Sequence, residues 1–257
     1  STIQRRIQQY EAMRSPETRL SLAKRLAMAK IEGQLRFLLR ATRGHDKRAN
    51  VVVDAVNRMR ACLRGAHACA GAEDLLGFEG QAAASYFASW SELISEGIDE
   101  RMRFQGRSRR PPRDRVSALL GFAYAMLLKD VTAAAIAVGL EPALGFYHQP
   151  RSAAPPLALD MMELFRVPMV DMPIVGSINR NQWDPVLDFE VTVQKIWLSE
   201  SGRRKLIDVY ERRREEQWKH SVVGYSLSYG RMIELEFRLL EKEWQGNGGL
   251  FAKFRLR

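Results

Sequence analysis

Cysteine is nearly absent from this chain of 257 residues, with Cys62 and Cys69 the only two. They lie seven apart in what reads as a helix and its exit, with only His67 close by. There is no C-x-x-C pair, which argues against a zinc knuckle. Nothing suggests a disulfide framework either, so a reducing cytosol is the expected compartment. Long apolar runs are also missing. The longest, Val116 to Leu128, has thirteen residues and is followed by Lys129 and Asp130. A bilayer span takes about twenty, so this run reads as a buried core helix and no membrane is expected as a partner. No secretory leader and no internal repeat are evident. Acid is in deficit, with 30 Asp and Glu against 40 Lys and Arg, a formal charge of +10. That balance points to a polyanion, although charge alone does not separate DNA, RNA and anionic membrane.

What is present is helical almost throughout. Ile3, Ile7, Tyr10 and Met13 repeat at helical spacing. Ser15-Pro16-Glu17 then reads as an N-cap, a proline at the first helical position and a first-turn acid. The helix it starts carries Leu20, Ala23, Ala27, Ile31, Leu35 and Leu38 on one face and is expected to stop at Gly44. Further helices fit Val51 to Leu63, Asp74 through Trp90, Asp114 to Val138, and Pro156 through Phe165. Residues 101–115 break the pattern with seven arginines, one acid and Pro111-Pro112, and read as an exposed basic loop. Only Phe189 to Trp197 has any strand character. At 46% hydrophobic residues the chain can bury a sizeable core.

Three placements carry chemistry. Glu79, set on a helix, shares a face with Leu75, Leu76, Ala82, Ala83 and Tyr86. A carboxylate on such a face is costly unless a cation compensates it. The flanking Gly77 and Gly80 weaken the helix, as though something close needs room. The competing reading is a rim carboxylate, or one paired with an arginine. His148 ends the glycine-punctuated loop Gly145-Phe146-Tyr147-His148, where a plain surface histidine is the alternative. Asp160 and Glu163 lie three apart among Leu and Met, so like charges share one side, unless that face is simply solvated. Two carboxylates and an imidazole from three elements make a plausible divalent-metal site. Oxygen donors suit Mg2+ or Mn2+, and an imidazole tilts the choice toward manganese. Such an ion can polarise a phosphoryl oxygen and activate water or a DNA 3′-hydroxyl.

At these same residues the sequence resembles a known family. Gly77-Phe78-Glu79-Gly80 with Tyr86 is similar to the glutamate motif of the universal CRISPR-associated integrase, the first CRISPR adaptation protein. Asp114 to Tyr124, with Gly139-Leu140-Glu141-Pro142 to His148, resembles its histidine motif. Leu157 to Arg166 followed by Val170-Asp171 resembles its acidic motif, and Lys30-Ile31-Glu32-Gly33-Gln34 fits its leading helix. Order and spacing agree from about Gln9 onward. Ser117 and Gly33 depart from the asparagines usual in the family.

The resemblance implies a mainly α fold, the multi-helix catalytic domain of the CRISPR integrase type, with the family's N-terminal β domain absent. Its expected parts are opening helices over 1–44, a metal-site core over 45–185 and a C-terminal helical segment over 186–257. It implies Glu79, His148 and Glu163 as metal ligands, with Asp160 as an accessory catalytic acid. It implies a metal-dependent DNA endonuclease and integrase that inserts spacer DNA into a CRISPR array, by 3′-hydroxyl attack on a repeat phosphodiester. Implied partners are prespacer and CRISPR repeat DNA, the second CRISPR adaptation protein, and a second copy of the chain as a homodimer within a larger complex. An upstream nuclease or reverse-transcriptase module is a known fusion in the family, and the implied location is the prokaryotic cytoplasm. Arg101, Arg103, Arg107, Arg109, Arg110, Arg113 and Arg115 are expected to position the DNA backbone. Two other classes compete: a catalytically idle DNA-binding scaffold subunit, which has no need of the three ligands, and a helix-turn-helix regulator, whose recognition helix should be polar.

Overall fold

A computed structural model describes residues 1–43, 50–106, 111–148, 155–219 and 224–253. Helix α1 (Thr2–Arg14) gives way to α2 (Pro16–Ala41) at Ser15, whose hydroxyl accepts from Thr18 N at 3.1 Å. Pro16 sits at the first helical position because the missing N–H there has no intrahelical partner to lose. The expected face of α2 is inside: Ala23, Ala27, Ile31, Leu35 and Leu38 are buried and Leu20 partly so. The expected stop at Gly44 lies outside the described residues. Helices α3 (Asn50–Ala68) and α4 (Ala72–Ala88) pack on each other and on α2.

Helix α5 (Arg115–Val138) is the central strut, packed against the later helices α6 (Pro156–Met162) and α9 (Tyr229–Trp244). Asp114 caps it, accepting from Ser117 N at 2.7 Å. Gly139 ends it at φ +92°, a left-handed cap that glycine adopts without steric cost. At 24 residues it outruns the thirteen-residue apolar stretch, and by length and composition it could cross a bilayer. Here Val116, Leu119, Leu127 and Val131 are core residues of the bundle. The remaining helices are α7 (Met172–Asn179) and α8 (Glu200–Glu215). The first and last helices meet, with Arg5 Nε 3.0 Å from Glu241.

Four short readings change. The strand region is a hairpin, β1 (Phe189–Val191) against β2 (Ile196–Leu198), with Val191 opposite Ile196. A second hairpin, β3 (Gln217–Lys219) with β4 (Ser226–Ser228), falls where only helix and glycine signals were legible. Three-residue strands are too short to show a period of two. The helix from Pro156 ends at Met162, three residues before the expected Phe165, and the chain widens into a π turn over Val167–Asp171. Pro168 in that turn has no N–H to offer the helical ladder. The basic segment is not wholly an exposed loop: Met102 and Phe104 are buried, and the Phe104 ring lies 5.3 Å from that of Trp90. Alternation of these two with Arg101 and Arg103 pins the segment to the core while Arg101 and Arg113 stay exposed.

Candidate metal centre

Glu79 comes from the middle of α4, and its expected apolar face is mostly real: Leu75, Ala82 and Tyr86 are buried, whereas Leu76 is exposed. The space expected around Gly77 and Gly80 is not claimed by any neighbour, since a Cβ at either would meet nothing within 4 Å. The compensating cation is a lysine. Lys30, on the face of α2 shared with the buried Leu26 and Gln34, contacts Glu79 Oε1 and lies 2.6 Å from Glu163 Oε2. All three side chains are well inside, 12% exposed for Lys30, 14% for Glu79 and 4% for Glu163.

Glu163 sits just past the end of α6, one turn beyond Asp160, where its carboxylate reaches both Lys30 and Arg166. Arg166 Nε stands 3.1 Å from Glu163 Oε1. Its guanidinium lies 4.6 Å above the Tyr124 ring. Burial opposes ionisation of Glu163, but Arg166 and Lys30 together outweigh it and hold the carboxyl at about 2. Glu163 Oε2 is buried, with the Lys30 ammonium 2.6 Å away. Behind this pair, Asp171 accepts from Tyr86 Oη at 2.8 Å and Tyr124 Oη at 2.6 Å, fixing α4 and α5 to the π turn.

Asp160 does something else. Its Oδ2 accepts from Phe146 N at 2.7 Å and Tyr147 N at 3.1 Å. Its Oδ1 accepts from His148 N at 2.8 Å and faces His148 Nδ1 at 2.7 Å. Four contacts occupy this fully buried carboxylate, so it holds the histidine loop and acts as a positioning residue. Gly145 is needed for the same closeness: a Cβ there would fall 2.6 Å from Asp160 Oδ2 and 2.8 Å from the Pro156 carbonyl carbon. Burial disfavours the imidazolium of His148, yet the Asp160 hydrogen bond and charge raise its pKa above the ordinary value. A carboxylate can only accept, so the neutral ring carries its proton on Nδ1 and leaves a lone pair on Nε2, the tautomer a metal ligand needs. The neighbouring Tyr147 phenol is pushed up by burial and then by Glu79 and Glu163.

The structure thus brings Glu79 and Glu163 to one cation, and holds His148 on Asp160 within electrostatic reach of Glu163. As they stand, no three His, Cys, Asp or Glu side chains among the described residues gather closely enough to chelate an ion. The donor set fits a divalent ion nonetheless. Two carboxylates converge on a positive charge, and an imidazole is held in the ligating tautomer. Lys30, Arg166, Tyr124 and Asp171 were not singled out as site residues from sequence. Helical spacing from Leu26 to Lys30 to Gln34, and the three-residue step from Glu163 to Arg166, are the signals that mark the two cations.

Of the seven arginines, 107, 109 and 110 lie outside the described residues. Arg101 pairs with Asp99, Arg103 donates to Ile94 O at 3.1 Å, and Arg115 donates to Pro185 O at 2.8 Å. Arg113 is exposed.

The mainly helical fold and this buried acidic centre define the class, and the comparisons define the family. The family described as "CRISPR associated protein Cas1" matches residues 1–212. The chain belongs to the CRISPR-associated Cas1 family. It is 56% identical over 255 residues to a "CRISPR-associated exonuclease Cas4/endonuclease Cas1 fusion" of Myxococcus xanthus, covering 99% of this chain but 45% of that protein. To "CRISPR-associated endonuclease Cas1 1" of Chlorobaculum tepidum it is 32% identical, covering 96% of this chain and 72% of the relative. In a "Cas6-RT-Cas1--Cas2 complex" one chain shares the fold at a TM-score of 0.84 and 21% identity, over 99% of this chain and 27% of that one. The chain therefore spans less than half the length of the fusion relative.

Proposed function

We propose that this chain is the catalytic part of a divalent-metal-dependent DNA endonuclease and integrase that inserts spacer DNA into a CRISPR array. The observation that carries the reading is the pair Glu79 and Glu163, from separate elements, aimed at one buried cation within electrostatic reach of His148. Family membership and the charge of +10 supply the context of a nucleic-acid enzyme. Glu79, Glu163 and His148 Nε2 would hold Mn2+ or Mg2+, and the bound ion would polarise a phosphodiester and favour attack on it by water or a 3′-hydroxyl. Asp160 keeps the His148 proton on Nδ1 and the loop in place. Arg166, fixed over Tyr124, stays beside Glu163 and keeps it ionised. Low exposure of the carboxylates restricts water at the reacting phosphate, which strengthens each electrostatic contact.

The partners we propose are prespacer and repeat DNA, a second copy of the chain and the second CRISPR adaptation protein, in the prokaryotic cytoplasm. Insertion of two spacer ends needs two such centres, which one chain does not provide. The basic segment over 101–115 would follow the DNA backbone. Nicking of branched DNA with Mn2+, and with Mn2+ removed by chelator, tests the reading. Metal-dependent nicking that Glu79→Gln and Glu163→Gln each abolish is expected. Nicking that survives both substitutions, or chelation, contradicts it.

A further inference from the structure

Among the described residues, Lys30 is the one group that touches two of the three proposed ligands, Glu79 and Glu163, and it does so from a third element, α2. We propose that Lys30 is a resident cation: it holds Glu79 and Glu163 together before the divalent ion arrives, and the ion displaces it. The inference rests on the metal-centre reading above.

The formal charges show why an exchange is favourable. Glu79, Glu163, Asp160 and Asp171 contribute −4, and Lys30 with Arg166 contribute +2, leaving −2 in a region where all six side chains are mostly buried. Replacing the lysine charge by a divalent ion halves that excess to −1. Without any cation, two inward-facing carboxylates would repel and one would have to take up a proton. The lysine removes that cost in the unloaded protein, and so keeps the ligands close to their working positions.

The two cations are unequally held. Arg166 has a planar guanidinium stacked over Tyr124 and placed against Glu163. It is pre-organised and stays. Lys30 reaches the pair with a flexible four-carbon stem, and among the described residues its ammonium forms ion pairs with the two carboxylates alone. A compact ammonium is a point charge that a stronger point charge can replace. Glu163 Oε2, 2.6 Å from the Lys30 ammonium, is the atom where that replacement would take place. One consequence is opposite to ordinary ligand support: Lys30 lowers the metal affinity of the site it preserves.

Calorimetric titration of the whole chain with Mn2+ alone tests this. Lys30→Met, of similar length and no charge, should bind Mn2+ more tightly than the natural chain, by roughly tenfold, while its metal-free melting temperature falls. Lys30→Arg should keep the weaker affinity. Unchanged or weakened Mn2+ binding in Lys30→Met overturns the proposal. If that variant does not fold, the natural chain still decides. With lysines isotopically labelled by reductive methylation, the Lys30 signal, assigned by its loss in Lys30→Arg, should shift saturably as diamagnetic Mg2+ is added. A signal that stays put while Mg2+ binds overturns the proposal. A natural chain that binds neither ion defeats the metal-centre reading itself, and the lysine's role with it. Binding without the lysine effects defeats only the latter.

Discussion

The centre around Lys30 and the segment over residues 101–115 are both rich in charge, and they treat it in opposite ways. At the centre, Glu79, Glu163, Lys30 and Arg166 are inside and each leans on an opposite charge. Along 101–115 the apolar Met102 and Phe104 are inside, whereas Arg101 and Arg113 point out. A buried charge is held by its partners, so removing one strands another. An exposed charge is backed by water and is nearly interchangeable. The difference teaches where chemistry can be fixed to within a fraction of an ångström and where only a field is supplied.

The largest effect is expected at Glu163. Glu163→Gln leaves Lys30 and Arg166 short of a counter-charge and should cost about 3–5 kcal/mol of stability, read by denaturant unfolding without metal. The natural chain carries a matching pH signature. With its folded pKa held at about 2, below the ordinary carboxylate value, Glu163 adds stability that is full above the ordinary range and lost as pH falls toward 2. That loss should be absent from Glu163→Gln. A variant as stable as the natural chain would mean that the centre behaves like the surface.

Asp160 comes next. Asp160→Asn keeps one acceptor oxygen for the loop amides but no longer compels His148 to carry its proton on Nδ1. Metal affinity should fall by roughly 10- to 100-fold, less than for Glu163→Gln, with a stability cost of about 1–3 kcal/mol. Calorimetry with Mn2+ checks the first figure. A variant with no measurable binding at saturating Mn2+ would make Asp160 a direct ligand.

The smallest effect is expected in the basic segment. Neutralising its exposed Arg113 should leave the unfolding midpoint unchanged. The slope of log DNA affinity against log salt should flatten by roughly 0.9 per lost phosphate contact. An unchanged slope would remove the segment from DNA binding and leave the contrast with the centre as one of burial alone.

Much of this was legible in the sequence, and the parts that were not share a cause. The helices of α2 and α5 were readable because caps and periodicity agree: Ser15-Pro16-Glu17 opens one, and Asp114 and Gly139 bracket the other. Of the hairpins, the first showed only as strand character over Phe189 to Trp197 and the second not at all, because three residues give no period. Glu79, His148, Asp160 and Glu163 stood out as charged or imidazole groups in apolar or glycine-rich settings. What they touch did not stand out. The sequence allows an arginine partner for Glu79, whereas the partner is Lys30, forty-nine positions earlier on another helix. Nor does the three-residue step between Asp160 and Glu163 reveal that one carboxylate turns to backbone amides and the other to cations. That division is set by the loop folding back through Gly145, a tertiary event with no local signature.

The most direct test of the central claim is diffraction from crystals of the chain grown with Mn2+, with data collected at the manganese absorption edge. The account predicts one anomalous peak between Glu79 and Glu163, with oxygen and His148 Nε2 ligands at about 2.0–2.3 Å, and the Lys30 ammonium moved away. No peak there at saturating Mn2+, with Lys30 still bridging the two glutamates, would contradict it.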